Sequence, residues 1–147
     1  MLYACDSEWW DMYHASIDFE GEKWTQDKAA AAQYGLNHVP GESSAGLGHD
    51  RVHFGSNGGY QAINLAYLFG AKRIILLGFD CKDIDDKAHW FGQHPDGLIQ
   101  RQPYDLWLNK YPGLAHDLAA EGVEVINCSM DSAIEWFTKM KIEDVRP

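Results

Sequence analysis

The chain has 147 residues, 46% of them hydrophobic, which fits one domain with a real core and excludes a wholly disordered chain. Its formal net charge of -10 excludes a surface built to bind nucleic-acid polymers, which needs basic groups, though a single nucleotide can still be held by a local helix N-terminus. There is no run of ~18 apolar residues and no basic-then-apolar start in MLYACD, so neither a membrane span nor a signal peptide is expected.

In chain order, Leu2 to Cys5 reads as a short strand, with Asp6 or Ser7 capping a helix from Glu8 to about Ala15. Ile17 to Trp24 is turn-like. Asp27 caps a short helix through Ala32, which Gly35 ends. Leu36 to Val39 is a further short strand, and Gly41 to Asp50, rich in Gly and Ser, a mobile loop. Val52 to Phe54 is a strand, Gly55-Ser56-Asn57-Gly58-Gly59 a tight turn, and Tyr60 to Phe69 a helix, with Gly70 at its C′ position. Arg73 to Phe79 is a continuous apolar run, expected as a central parallel strand buried on both faces. Residues 81–103 form a long polar loop at its carboxyl end, where open α/β sheets bind ligands. Asp105 to Ala120 is helical with a break at Pro112-Gly113, Val123 to Asn127 a buried strand, and Ser132 to Met140 a closing helix. The expected fold is α/β: one Rossmann-like, doubly wound domain over 1–147 with a mainly parallel sheet.

The strongest chemical signal is the turn Gly55, Ser56, Asn57, Gly58, Gly59. Glycines let backbone approach a ligand, a helix start offers unpaired N–H groups, and Ser56 and Asn57 add side-chain donors, so the turn suits a phosphate or carboxylate. A plain capped turn uses the same residue types. It is not a Walker loop, because no Lys-Ser/Thr pair follows. Asp80, ending the apolar strand after Gly78, is placed to bond a ribose or base edge, or to cap the next turn. In the long loop, His89 and His94 are candidate bases or phosphate donors, and Trp90 or Phe91 candidate stacking platforms. Arg101 and Lys110 are candidate charges for a ligand. No standard zinc spacing is present; Asp83, Asp85 and Asp86 would suffice for Mg²⁺, which keeps most of its waters. The aromatic surplus (six Trp, seven Tyr, six Phe) implies either an aromatic core or an exposed pocket or subunit interface, and Trp9-Trp10 is read as core, with pocket lining or a dimer contact as the alternative. Cys5, Cys81 and Cys128 are expected as free thiols in a reducing cytoplasm.

The stretch HFGSNGGYQAINLAYLFGAKRIILLGFDCK, followed by HWFGQHP and preceded by LYACDSEWW and KWTQD, resembles phage and prophage proteins related to the 6-hydroxymethylpterin diphosphokinase-like domain. That domain also occurs in motility-accessory glycosyltransferases, and it is distantly similar to bacterial sialyltransferases that use CMP-sialic acid. The resemblance spans roughly Leu2 to Cys128. It implies a Rossmann-like nucleotide site in which Ser56, Asn57 and Gly58 touch a nucleotide sugar, Gly78 and Asp80 help form the pocket, and His89 or His94 corresponds to a catalytic base. Relatives begin with a further strand and a second glycine turn. This chain starts at what resembles their second strand, as a shortened member or a fragment, and a half-built cradle would weaken group transfer.

Three functions follow as expectations. The first is a phage-type protein that holds a nucleotide or nucleotide-derived molecule without turnover, sequestering a host nucleotide signal as an anti-defence sponge. The second is a transferase of a glycosyl or pyrophosphoryl group through Asp80 and a loop histidine, with Mg²⁺. The third is a virion assembly component with a vestigial site. An uncovered sheet edge would favour a homo-oligomer.

Overall fold

The computed structural model describes residues 1–84, 87, 94–96, 98 and 103–146. The molecule is mixed α/β, and the ladders among the described residues are all parallel, beside one isolated antiparallel bridge between Ile84 and Lys87. β1 (Leu2–Tyr3) pairs with β2 (Lys23–Thr25), which pairs with β3 (Asn37–His38). Between β1 and β2 lie α1 (Ser7–Tyr13) and a 3-10 turn (His14–Ser16); between β2 and β3 lies α2 (Lys28–Tyr34). β4 (Gly41–Glu42) pairs with β5 (Val52–His53). The two small sheets adjoin through the chain between β3 and β4: Val39 donates to Thr25 at 3.0 Å, and Val52 to Pro40 at 2.8 Å.

α3 (Gly58–Leu68) leads from β5 to β6 (Arg73–Leu76), the first strand of a third sheet. β6 pairs with β7 (Glu124–Asn127) from Arg73↔Glu124 to Leu76↔Asn127, and β7 pairs with β8 (Thr138–Lys139). The crossover from β6 to β7 carries α4 (Tyr104–Leu108) and α5 (Tyr111–Ala120). Among the described residues no ladder joins β5 to β6, so the parallel strands form three small sheets instead of one continuous doubly wound sheet.

One core lies where α3 and α5 cover the third sheet. It gathers Tyr60 and Ile63 from α3, Ile74 and Leu76 from β6, Leu114 and Leu118 from α5, and Val125 from β7. A smaller core joins Val39, Val52 and Leu65. Each such side chain withdrawn from water is worth about 1.5–3 kcal/mol, and together they fix α3 between the sheets.

Several elements differ from expectation, each for a local reason. β2 lies within the stretch read as a turn, because Trp24 pairs into the ladder and Thr25 is fully buried. Asp6 precedes α1 without a side-chain cap bond, whereas Asp27 caps α2 by accepting from Ala30 at 2.8 Å. The run after Arg73 is not buried on both faces. Ile74 and Leu76 enter the core, while Ile75 and Leu77 are 42% and 65% exposed, because α3 and α5 share one face. The stretch 41–50 contains β4 and is anchored: Leu47 is buried, its N–H donates to Asp117, and Asn64 grips Gly48. The helix break falls at Asn109–Lys110, just before Pro112, which sits in the first turn of α5.

Ser132 to Met140 is not a helix. The Ser132 hydroxyl donates to Phe79 O at 2.5 Å and accepts from Ile134 N at 3.0 Å. Ala133 N–H donates to Asp80 O, and Thr138 joins β8. Local side-chain bonding and a β-branched residue on an open ladder outcompete the helix. Among the described residues, no helix is long and apolar enough to cross a membrane.

Candidate functional site

The carboxyl ends of β1, β2 and β5 open onto a cleft of about 900 Å³. Its backbone-rich wall is the start of α3. Phe54, Gly55, Ser56 and Asn57 form a turn in which both central residues have positive φ, +51° at Gly55 and +62° at Ser56. The turn is closed by Asn57 N–H donating to Phe54 O at 3.1 Å, the arrangement of a type I′ turn. A Cβ on Gly55 would lie 2.3 Å from the Tyr60 ring, which is fully buried, so position 55 has neither the conformation nor the space for a side chain. Ser56 has no such exemption: it is exposed and held in the left-handed region, a conformation that costs a non-glycine residue about 1 kcal/mol or more.

Beyond the turn, Asn57 caps α3 by accepting from Tyr60 N–H at 3.0 Å. Its Oδ1 also receives a long bond from the Tyr111 hydroxyl at 3.4 Å. The backbone N–H groups of Ser56, Gly58 and Gly59 make no hydrogen bond among the described residues. An eleven-residue helix therefore presents its positive end with unsatisfied donors. Ser56, Asn57 and Gly58 line the cleft.

The sequence-derived site residues divide between two neighbouring hollows. Gly59, Gly78 and Asp80 line a smaller recess of about 210 Å³ at the end of β6, with Phe79, Cys81 and Tyr111. Asn57 and Trp107 border both hollows. The Asp80 carboxylate makes no hydrogen bond among the described residues, while its backbone carbonyl accepts from Ala133 at 2.8 Å. Gly55 belongs to the fold and not to the wall. His94 lines the larger cleft. His89, Trp90 and Arg101 lie outside the described residues, as do Phe91, Asp85 and Asp86. Asp83 accepts from the Tyr104 hydroxyl at 2.9 Å. Among the described residues, no three His, Cys, Asp or Glu side chains converge as a metal site.

Aromatic residues serve both expected purposes. Trp10 is fully buried, its Nε1 donating to Ala4 O at 3.0 Å, whereas Trp9 faces the cleft with Phe54 and Trp107. Leu106, 61% exposed, adds an apolar surface there. Asp6 and Glu8 also line the cleft, and no Lys or Arg among the described residues does.

Residues 5, 26 and 61 were not read from the sequence as site residues. Cys5 follows β1, and burial raises its thiol to about 12, with Asp6 adding to the shift, which favours the protonated thiol at neutral pH. Gln26 donates to Cys5 O at 3.0 Å, fastening the ends of β1 and β2 beneath the cleft. Gln61 is 5% exposed yet lines the cleft, and its Oε1 accepts from the Tyr3 hydroxyl at 2.6 Å. A polar residue on the apolar face of a helix was the available signal.

Compared with protein-family models, curated proteins and solved structures, the chain matches none.

Proposed function

We propose that this protein holds a nucleotide or nucleotide-derived phosphate ester in the larger cleft, with a phosphate at the start of α3. The observation that carries the reading is the pair of unpaired N–H groups at Ser56 and Gly58, which line a roomy, aromatic-lined cleft at a helix N-terminus, with the unpaired Gly59 N–H beside them at the smaller recess. Such an end carries roughly half a positive charge and bonds an anion without any basic side chain. Trp9, Phe54 and Trp107 offer π faces for a base, and stacking on such faces is worth about 1–3 kcal/mol per base.

The sign of the wall charges supports an orientation. Asp6 and Glu8 would repel phosphate within a Debye length of about 8–10 Å, so the phosphate belongs at the α3 end and the hydroxylated part of the ligand toward α1. A carboxylate near a ribose is the common partner of a phosphate-binding helix start in dinucleotide folds, and parallel strands ending at one cleft are in keeping with a Rossmann-like relation.

The test is extraction. Protein purified under native conditions is denatured and the released small molecules are identified by mass spectrometry. An intact phosphorylated nucleoside, absent from a Gly58→Pro preparation, supports the reading. Recovery of the same ligand from both preparations argues against the α3 cradle. Incubating the holo-protein with Mg²⁺ then separates simple holding, which leaves the ligand unchanged, from group transfer or hydrolysis, which splits it.

A further inference from the structure

Gln61 is a polar group of the cleft that phosphate binding leaves unused. It shares the buried part of α3 with Tyr60, Ile63, Asn64 and Leu65, and it is 5% exposed itself. Tyr3 donates to its Oε1 at 2.6 Å. Burial holds the Tyr3 phenol protonated far above its ordinary range, so this bond keeps its direction at neutral pH. The amide is thereby oriented, and Nε2 retains two N–H donors without a partner among the described residues. No buried side-chain nitrogen or oxygen among those residues lacks a hydrogen bond, so Nε2 reaches the cleft that Gln61 lines.

Its place along the helix indicates what it would meet. Gln61 follows Gly58 by three residues and Asn57 by four, so it sits on their face of α3, one turn further in, about 5.4 Å along the axis. The group one ester linkage from a phosphate held at the helix start is a sugar. Asp6, which follows β1 and so lies three residues from Tyr3, lines the same cleft as an acceptor. A hydroxyl can accept from an amide N–H and donate to a carboxylate, and a vicinal diol can serve both groups together.

We propose that Gln61 is a specificity-determining residue that donates from Nε2 to the ribose 2′-hydroxyl of the bound nucleotide, with Asp6 accepting from the adjacent 3′-hydroxyl. This rests on the nucleotide reading above and deepens it by naming the ligand class as ribonucleotides over 2′-deoxyribonucleotides.

The probes are ribonucleoside mono- and diphosphates, their 2′-deoxy counterparts and inorganic pyrophosphate, titrated calorimetrically. Two variants accompany the wild type. Gln61→Glu keeps the size and the Tyr3 bond but replaces the donor with an acceptor. The double variant Tyr3→Phe with Gln61→Leu removes both partners, so no polar group is orphaned and the fold is retained. The wild type is expected to prefer the ribonucleotide about tenfold, as loss of one hydrogen bond of about 1.4 kcal/mol implies. The double variant is expected to bind the two sugars within about twofold of each other and pyrophosphate as the wild type does, whereas Gln61→Glu, whose carboxylate can still accept from a hydroxyl but adds a negative charge near the phosphate, is expected to bind every nucleotide more weakly. Equal wild-type affinity for ribo and deoxy ligands overturns the inference, as does a preference that survives in the folded double variant. A parallel loss of pyrophosphate binding in the double variant would move Gln61 to the phosphate subsite, and also overturns it. Failure of the wild type to bind any nucleotide would overturn the nucleotide reading as well, so the two failures are distinguishable.

Discussion

Replacing Gly58 with proline removes one proposed phosphate donor while leaving the fold intact. Gly58 is the first residue of α3, where proline is favoured because the N–H has no helical partner to lose. The preceding residue, Asn57, has φ -149° and ψ 133°, the extended conformation that a following proline demands. A Cβ at position 58 would meet only Cys5 Sγ, at an ordinary 3.5 Å. Stiffening the unfolded chain stabilises by about 0.4–1 kcal/mol, a rise of about 1–4 °C in melting temperature for a domain of this size. A hydrogen bond to a charged group is worth about 1.5–3 kcal/mol, so the dissociation constant for a nucleotide should rise roughly tenfold to 150-fold. Gly58→Ala, which keeps the N–H, should bind like the wild type. Isothermal titration of all three proteins, with melting curves in parallel, checks the reasoning. A folded Gly58→Pro protein with wild-type affinity would refute it.

Three further outcomes concern the scaffold and its titration. Asn64 is fully buried and its side chain serves Gly48 N, His53 N and Gly48 O, each at 2.9 Å, so Asn64→Ala strands three backbone groups. It should cost about 3 kcal/mol or more, lowering the melting temperature by roughly 6–12 °C; a drop of less than about 2 °C would contradict this. Gly55→Ala forces a Cβ into the Tyr60 ring at φ +51° and should destabilise by about 2–3 kcal/mol in urea titrations, whereas tolerance would mean that the turn rearranges freely. Burial raises the Cys5 thiol to about 12 and the Cys81 thiol to about 11. Groups whose folded pKa is raised stabilise below the unfolded value and lose that contribution as pH rises through the folded one. Melting temperature should therefore fall steadily from about pH 9 to 11, less steeply in Cys5→Ala; a flat profile would count against this.

Much of the third sheet was legible because its elements are long and strongly patterned. The helix after the glycine turn and the strand ending at Asn127 lie where the pattern placed them, whereas the strand that starts at Arg73 ends at Leu76 and stands at the edge of its sheet, not at the centre. The two-residue β1, β3 and β5 were read from their apolar residues, whereas β2 and β4 fell in stretches assigned to turn and loop because they sit among charged, Gly- and Ser-rich residues. The run Arg73 to Phe79 is apolar enough for two buried faces, but burial depends on what packs opposite, and Ile75 and Leu77 have no covering helix. The Ser132 to Met140 error is of another kind: helical spacing was present, yet Ser132 bonds to Phe79 and Ile134 across the fold. For the site, the turn was visible from its glycines, whereas the separation of Asp80 from the main cleft was not, since it depends on where Trp107 stands. Gln61 and Cys5 were hidden because their meaning comes from burial next to a cavity.

The most direct test of the central claim is a thermal-shift panel on the wild-type protein, pairing each nucleotide with its unphosphorylated nucleoside at millimolar concentration. A ligand at about 100 times its dissociation constant stabilises by about 2.7 kcal/mol, so at least one nucleotide should raise the melting temperature by roughly 5–10 °C while its nucleoside shifts it far less. If no nucleotide moves the transition by more than about one degree, or if nucleoside and nucleotide shift it equally, the α3 start holds no phosphate and the proposed function is wrong.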